Sequence, residues 1–94
     1  MIKKSFRFKV KEGFTNIVID IINEFLAELK KNEPFTIYEA FKSSNEREFL
    51  HLISFQDHKA ELDHMEANYA KDFYSKLYSH CEVLPELVDL YSLK

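Results

Sequence analysis

The sequence has little of what interrupts regular structure: its 94 residues include one glycine and two prolines. Disordered chains combine many such residues with low hydrophobicity, whereas 46% of this chain is hydrophobic and 15% is aromatic. A single glycine also argues against a glycine-rich phosphate-binding loop. We therefore predict one folded domain over residues 1–94, with a small core that self-association would help to stabilise.

The chain has one cysteine, Cys81, and no tryptophan. A lone cysteine cannot form an internal disulfide, so we expect a small buried hydrophobic residue at this position. The N-terminal residues contain no apolar run long enough for a signal peptide. The most apolar stretch, Ile17–Ile22, is interrupted by Asp20 and is far shorter than the roughly 20 residues of a membrane span. We expect a cytoplasmic protein with no membrane partner.

Neither sign of charge dominates the composition. Thirteen basic and sixteen acidic residues give a net charge of −3, which provides no long-range attraction for nucleic acid or anionic lipid. The basic residues near the N-terminus alternate with apolar ones, and a charged outer strand face is the plainer explanation for them. We predict no nucleic-acid partner.

Hydrophobic periodicity predicts a strand and then a helix in the first third of the chain. Phe6, Phe8 and Val10 alternate with basic residues, the period of two that is typical of a strand. From Thr15 to Leu29 the apolar residues follow the three-and-four spacing of an amphipathic helix.

A hairpin is predicted in the middle of the chain. The segments Phe35–Lys42 and Glu48–Phe55 are rich in aromatic and β-branched residues, and the short polar segment 43–47 joins them. Asp57 can then cap a short helix.

The last third predicts a further helix and a strand. The residues that keep the spacing of a buried helical face are Ala70, Phe73, Tyr74, Leu77, Tyr78 and Cys81. We predict that Pro85 ends this part and that a final strand follows over residues 87–92.

The predicted order of elements, βαββ(αα)β, is the ferredoxin-like α+β arrangement, in which helices cover one face of a four-stranded antiparallel sheet. Apolar residues occupy both strand faces. We expect one face to contain Phe6, Phe8, Val10, Ile37, Phe41, Ile53 and Phe55, and the other to contain Tyr38, Leu50, Leu52, Val88 and Leu90. Because one chain has helices for only one face, we predict a homodimer in which a second sheet covers the other.

Residues 55–91 resemble the antibiotic biosynthesis monooxygenase family of dimeric α/β barrels. The pattern comprises an aromatic strand end and an acidic cap, an Ala-x-x-x-His helix, an aromatic near the centre of the next helix and a proline-containing turn into the last strand. The matching positions are Phe55, Asp57, Ala60, His64, Phe73, Leu77, Pro85 and residues 87–91.

The resemblance implies a cofactor-independent monooxygenase that acts on a quinol or another small aromatic substrate. The chain departs from the family at Phe55, where many members carry tryptophan, and at Tyr69, where a second histidine is common. The lack of tryptophan disfavours the haem-degrading relatives, so we expect no cofactor. The alternative function is that of a non-catalytic ligand-binding or stress-response dimer with the same fold.

His64 is the candidate catalytic base. Oxygenation without a cofactor requires a substrate that loses a proton, and an imidazole titrates near neutral pH. The structural alternative is a helix histidine that is bonded to a nearby carboxylate such as Glu61, or that is simply solvated. The Glu61-x-x-His64 spacing also occurs in di-iron proteins, but those sites need two such helices and two further glutamates, so we predict no metal.

Five further residues are candidates for binding the substrate. Tyr38 and Tyr69 could donate to a developing oxyanion, and Phe55 could stack on an aromatic ring. His51 lies on the strand face of Phe55, and the family resemblance adds Phe73. The structural alternative is core packing for the aromatic residues and, for His51, a hydrogen bond to a carbonyl group or to Glu39.

Overall fold

The computed structural model describes residues 1–45 and 47–93. Within these residues the order of elements is β1 (Ile2–Val10), α1 (Thr15–Asn32), β2 (Ile37–Lys42), β3 (Glu48–Phe55), α2 (His58–Glu66), α3 (Asn68–Ser79) and β4 (Cys81–Leu90). The strands form one antiparallel sheet in the order β2-β3-β1-β4. This architecture confirms the predicted ferredoxin-like α+β class.

Helix α1 packs on the sheet through a single apolar side. Its buried residues recur every three or four positions, as the sequence predicts: Val18, Ile22, Phe25 and Leu29. Two lysines in its last turn suit the negative end of the helix dipole. Glu33 caps the C-terminal end, where its backbone N–H donates to the carbonyl of Leu29. The cap leaves the Glu33 side chain beside the end of α1.

Two shorter helices complete the layer over the sheet. The Asp57 carboxylate accepts a hydrogen bond of 2.8 Å from the backbone N–H of Ala60, which confirms the predicted cap of α2. Helix α3 buries Ala70, Phe73 and Leu77. Cys81 is buried as predicted but opens β4 instead of closing α3.

The predicted faces of β2 are reversed in the structure. Tyr38 pairs with Ile53 and therefore faces the helices, whereas Phe41 pairs with Leu50 on the opposite side. Ile37 shares the face of Phe41. Our assignment of Tyr38, Ile37 and Phe41 was wrong because a strand with apolar residues on both sides gives no signal for its register, and a shift of one residue exchanges the faces.

The last strand begins earlier than predicted and contains Pro85. In the pairing of β1 with β4, Arg7 lies opposite Glu86 and Lys9 opposite Val83, so two residues of β4 lie opposite Phe8. Proline is accepted at such a bulge in an edge strand, where its missing N–H breaks no ladder. The predicted hairpin segment 43–47 includes Glu46, which lies outside the described residues.

The sheet has one covered face and one face without helices, which we call the open face. Apolar side chains lie on the open face as well, in agreement with the prediction that both faces are apolar: Ile37, Phe41, Leu50, Leu52, Val83, Val88 and Leu90. Among the described helices, none combines the length and apolarity needed to cross a membrane.

Candidate functional site

His64 lies in the layer between the helices and the sheet and is fully buried. Its Nδ1 is 2.7 Å from Oε2 of Glu33, and its Nε2 is 2.9 Å from the hydroxyl of Tyr74. The ring packs 5.1 Å from that of Phe55, centroid to centroid. The structural alternative of a histidine satisfied by a carboxylate agrees with this arrangement, although the partner is Glu33 and not the suggested Glu61. The alternative of a solvated histidine is wrong.

The Glu33 carboxylate accepts hydrogen bonds from three donors. One oxygen accepts a 2.9 Å hydrogen bond from the Thr36 hydroxyl, and the other accepts from His64 and from the hydroxyl of Tyr69. Because an ionised carboxylate can only accept, the His64 proton belongs on Nδ1. Nε2 is then an acceptor, and the Tyr74 hydroxyl donates to it. We call this chain of Glu33, His64 and Tyr74 the relay.

Tyr74 is the member of the relay that sequence reasoning missed. Its position in the three-and-four spacing of α3 predicts a residue on a buried face but gives no sign of a polar partner. Burial, and to a smaller extent the nearby Tyr78 and Glu33, raises the pKa of Tyr74 well above its usual range. Tyr74 therefore keeps its proton and donates a hydrogen bond to His64 Nε2.

A second polar pair lies deeper against the sheet. The Tyr38 hydroxyl is hydrogen-bonded to His51 Nδ1 at 2.6 Å, while the buried His51 Nε2 has no hydrogen-bond partner. Burial lowers the pKa of His51 to about 3, so the ring is neutral at physiological pH. The suggested partner Glu39 is wrong, because Glu39 pairs with Leu52 on the open face.

The six residues predicted for the site lie in one aromatic layer, divided between the two polar groups. Phe55 contacts the ring of His64, and Tyr69 bonds to the same glutamate. Phe73 stacks on Phe25 with 3.9 Å between centroids. Phe73 also lies 6.5 Å from the ring of His51, which is bonded to Tyr38. Their roles as catalytic or binding residues stay predictions.

A small cavity of about 70 Å³ opens beside the relay. Tyr74 and Phe55 form part of its wall, together with residues of β1, β3, α2, α3 and β4: Lys4, Phe6, Ile53, Glu61, Met65, Tyr78, Pro85 and Leu87. The Lys4 ammonium in this wall lies 2.5 Å from Glu61 and 3.3 Å from Asp89. The cavity wall is thus mostly apolar and includes the Lys4–Glu61 ion pair.

The two side chains of the Glu61-x-x-His64 spacing, which also occurs in di-iron proteins, do not come together in one site. Glu61 is bonded to Lys4, while His64 is bonded to Glu33. Among the described residues, no group of three or more His, Cys, Asp or Glu side chains could hold a metal ion. Burial raises the pKa of the Cys81 thiol to about 11, so at neutral pH it is a thiol and a weak nucleophile.

Fold and site together define a class: small ferredoxin-like α+β proteins with a polar cluster between sheet and helices. Comparison with protein-family models gives no match for the sequence. Comparison with curated proteins gives none either.

Solved structures share the whole fold. One described as an antibiotic biosynthesis monooxygenase superposes with a TM-score of 0.88 at 17% identity and covers 100% of both chains. A conserved protein of Methanosarcina mazei has a TM-score of 0.87 at 16% identity, over 97% of this chain and 91% of its own. A variant of SnoaB, a cofactor-independent oxygenase of Streptomyces nogalater, has a TM-score of 0.82 at 12% identity, over 99% and 93%. The resemblance predicted from the sequence is confirmed at the level of the fold.

Proposed function

We propose that the protein is a cofactor-independent monooxygenase acting on a small aromatic substrate of the quinol type, with His64 as the base. The observation that carries the proposal is the 2.7 Å hydrogen bond between His64 and Glu33 in a fully buried layer. The fold shared with solved structures described as monooxygenases supports it.

The chemistry begins with removal of a phenolic proton. The resulting anion is rich enough in electrons to reduce O₂ by one electron, so the protein has to supply a base, a donor and a dry pocket. His64 accepts the proton, and the Glu33 carboxylate stabilises the imidazolium that forms and holds the ring in one tautomer. Phe55 contributes an apolar wall to the cavity. Phe73, Tyr38, His51 and Tyr69 do not line this cavity, and we propose that they support the substrate site from the surrounding aromatic layer.

Oxygen consumption with added quinol tests this proposal. We expect uptake by the wild type and a loss of at least tenfold in His64→Gln, because general-base catalysis contributes about 10²–10⁴-fold. His58→Gln is the matched control, since His58 lies on the same helix with its side chain 85% exposed. Equal uptake by wild type and His64→Gln, with both folded by circular dichroism, would remove the catalytic assignment.

The second candidate is a non-catalytic protein that binds a small aromatic molecule. One observation favours it: both ring nitrogens of His64 already have protein partners, and the ring has no exposed surface. For this function we expect phenol binding without oxygen uptake. Isothermal titration with a one-ring phenol, performed beside the oxygen assay, separates the two candidates.

We also propose that the protein is a homodimer paired through the open face. Large apolar side chains there are about half exposed, which is unusual for a surface that meets only water: Ile37 (50%), Phe41 (48%), Val83 (55%), Val88 (48%) and Leu90 (41%). Arg7 lies opposite Glu86 on the same face, and such mixed charge suits a two-fold, self-complementary interface.

Sedimentation equilibrium at micromolar concentration tests the dimer. The wild type should have twice the 11.2 kDa mass of one chain, and Val88→Glu should shift it to the monomer, because a charge in an apolar interface is left unpaired. Leu62→Glu is the matched control, since Leu62 is equally apolar and 60% exposed on α2. A wild type of 11.2 kDa would contradict the proposal.

A further inference from the structure

We propose that the residue in direct contact with the substrate is Tyr74, that His64 acts only through it, and that the site takes an uncharged phenol of a single ring. This inference rests on the proposed function and deepens it, because it names the contact residue and the substrate class.

His64 offers no surface to a substrate. The ring has 0% exposure, and its two nitrogens are bonded to Glu33 and to the Tyr74 hydroxyl. A proton can therefore reach Nε2 only along the hydrogen bond from Tyr74. The Tyr74 ring forms part of the cavity wall, so Tyr74 connects the buried base to the space that a ligand can enter.

The proton transfer balances without a further reactant. As the O–H bond of the phenol breaks, its proton passes to the Tyr74 oxygen, and the proton that Tyr74 held passes to His64 Nε2. The products are a phenolate, a neutral tyrosine and an imidazolium 2.7 Å from the Glu33 carboxylate. Burial disfavours the Tyr74 anion, which suits a group that passes protons on and does not store charge.

The size of the cavity limits the substrate. Its volume of about 70 Å³ is well below the roughly 300–1,000 Å³ of pockets that bind drug-sized molecules. Met65 and Tyr78 line it and are 48% and 46% exposed, so these two residues form part of the wall that faces solvent. A single ring fits this description, whereas a fused polycyclic substrate would require the packed layer to separate.

The charged residues of the cavity wall limit the substrate further. The Lys4 ammonium is bonded to both Glu61 and Asp89, so this cation is already neutralised and the group carries an excess negative charge. A ligand carboxylate in the cavity would meet the Glu61 carboxylate and a Lys4 ammonium that is already paired, which is unfavourable. An uncharged phenol avoids this repulsion and can donate its hydroxyl proton to Tyr74.

Binding of 4-nitrophenol, followed by titration calorimetry below the pH range of its ionisation, tests the inference apart from turnover. Tyr74→Phe keeps the ring and removes the hydroxyl, and we expect about tenfold weaker binding, the equivalent of one good hydrogen bond. Tyr91→Phe is the matched control: it removes a tyrosine hydroxyl from a side chain that is 84% exposed and does not line the cavity. It should bind within about twofold of wild type.

The outcomes separate this inference from the proposed function. If binding of 4-nitrophenol depends on Tyr74 but wild type shows no quinol-driven oxygen uptake, the assignment of Tyr74 as contact residue is supported and the proposed oxygenase function is overturned. Uptake and binding unchanged in Tyr74→Phe would overturn the contact residue and leave the oxygenase standing. Binding of 4-hydroxybenzoate as tight as that of 4-nitrophenol would overturn the charge selection. If Tyr74→Phe does not fold, the nitrogen NMR resonance of His64 Nε2 in wild type must shift on addition of 4-nitrophenol, and an unmoved resonance would refute the relay.

Discussion

Acid should destabilise this protein through His51 before its carboxylates are protonated. Burial holds the pKa of His51 at about 3 in the folded state, whereas an unfolded histidine titrates near 6.5. Between these two pH values His51 is protonated in the unfolded chain but stays neutral in the folded chain. The free energy of unfolding therefore falls as pH falls through this range, and the stabilising contribution is complete only above about pH 6.5.

The linkage relation gives the slope of the free energy of unfolding against pH. One proton taken up on unfolding changes the free energy of unfolding by about 1.4 kcal/mol per pH unit, and a shift of this size integrates to at most about 5 kcal/mol by pH 3. That amount is comparable with the whole stability of a small domain. Urea denaturation at intervals between pH 7 and pH 4 measures it directly.

A double variant isolates the contribution of His51. In His51→Phe with Tyr38→Phe, the titrating ring is removed together with the hydroxyl bonded to it, so no new unpaired group is buried. We expect this variant to lose most of the pH slope, whereas His58→Gln, at an exposed position, should keep it. An unchanged slope in the double variant would refute the assignment to His51.

Three further predictions follow from single contacts. Glu33→Gln should fold but lower quinol-driven oxygen uptake by at least about tenfold, because a neutral amide no longer stabilises the His64 imidazolium. Unchanged uptake with an unchanged pH profile would show that Glu33 has only a structural role. Asp57→Ala removes the cap on the Ala60 N–H and should cost about 1 kcal/mol in urea denaturation, and a change below the error of the measurement would contradict the capping role. Burial raises the pKa of the Cys81 thiol to about 11. At neutral pH the thiol should therefore react with iodoacetamide far more slowly than free cysteine does. An equal rate would show that Cys81 becomes exposed to solvent.

The elements that the sequence predicts well are those with one dominant period. The bounds of β3 match the prediction at both ends, and α1 follows its apolar spacing from Thr15. The faces of β2 and the start of β4 could not be predicted in this way. Apolar residues on both sides of β2 hide its register, and the bulge that accommodates Pro85 depends on how β1 pairs with β4.

The candidate site was predictable in its aromatic members but not in its connections. The family pattern contains His64 and Phe55, whereas the partners of His64 come from the end of α1 and from the middle of α3. Glu33 is 31 positions away from His64 along the chain. Such a contact depends on how the helices pack on the sheet, so the periodicity of a short segment cannot predict it.

We propose that the buried His64 serves as a base for oxygenation of a small phenol. The most direct test is oxygen uptake with a one-ring quinol, measured side by side for wild type, His64→Gln and the exposed-site control His58→Gln. We predict uptake by wild type and by the control and its loss in His64→Gln. No uptake by wild type, or equal uptake by all three folded proteins, would contradict the claim.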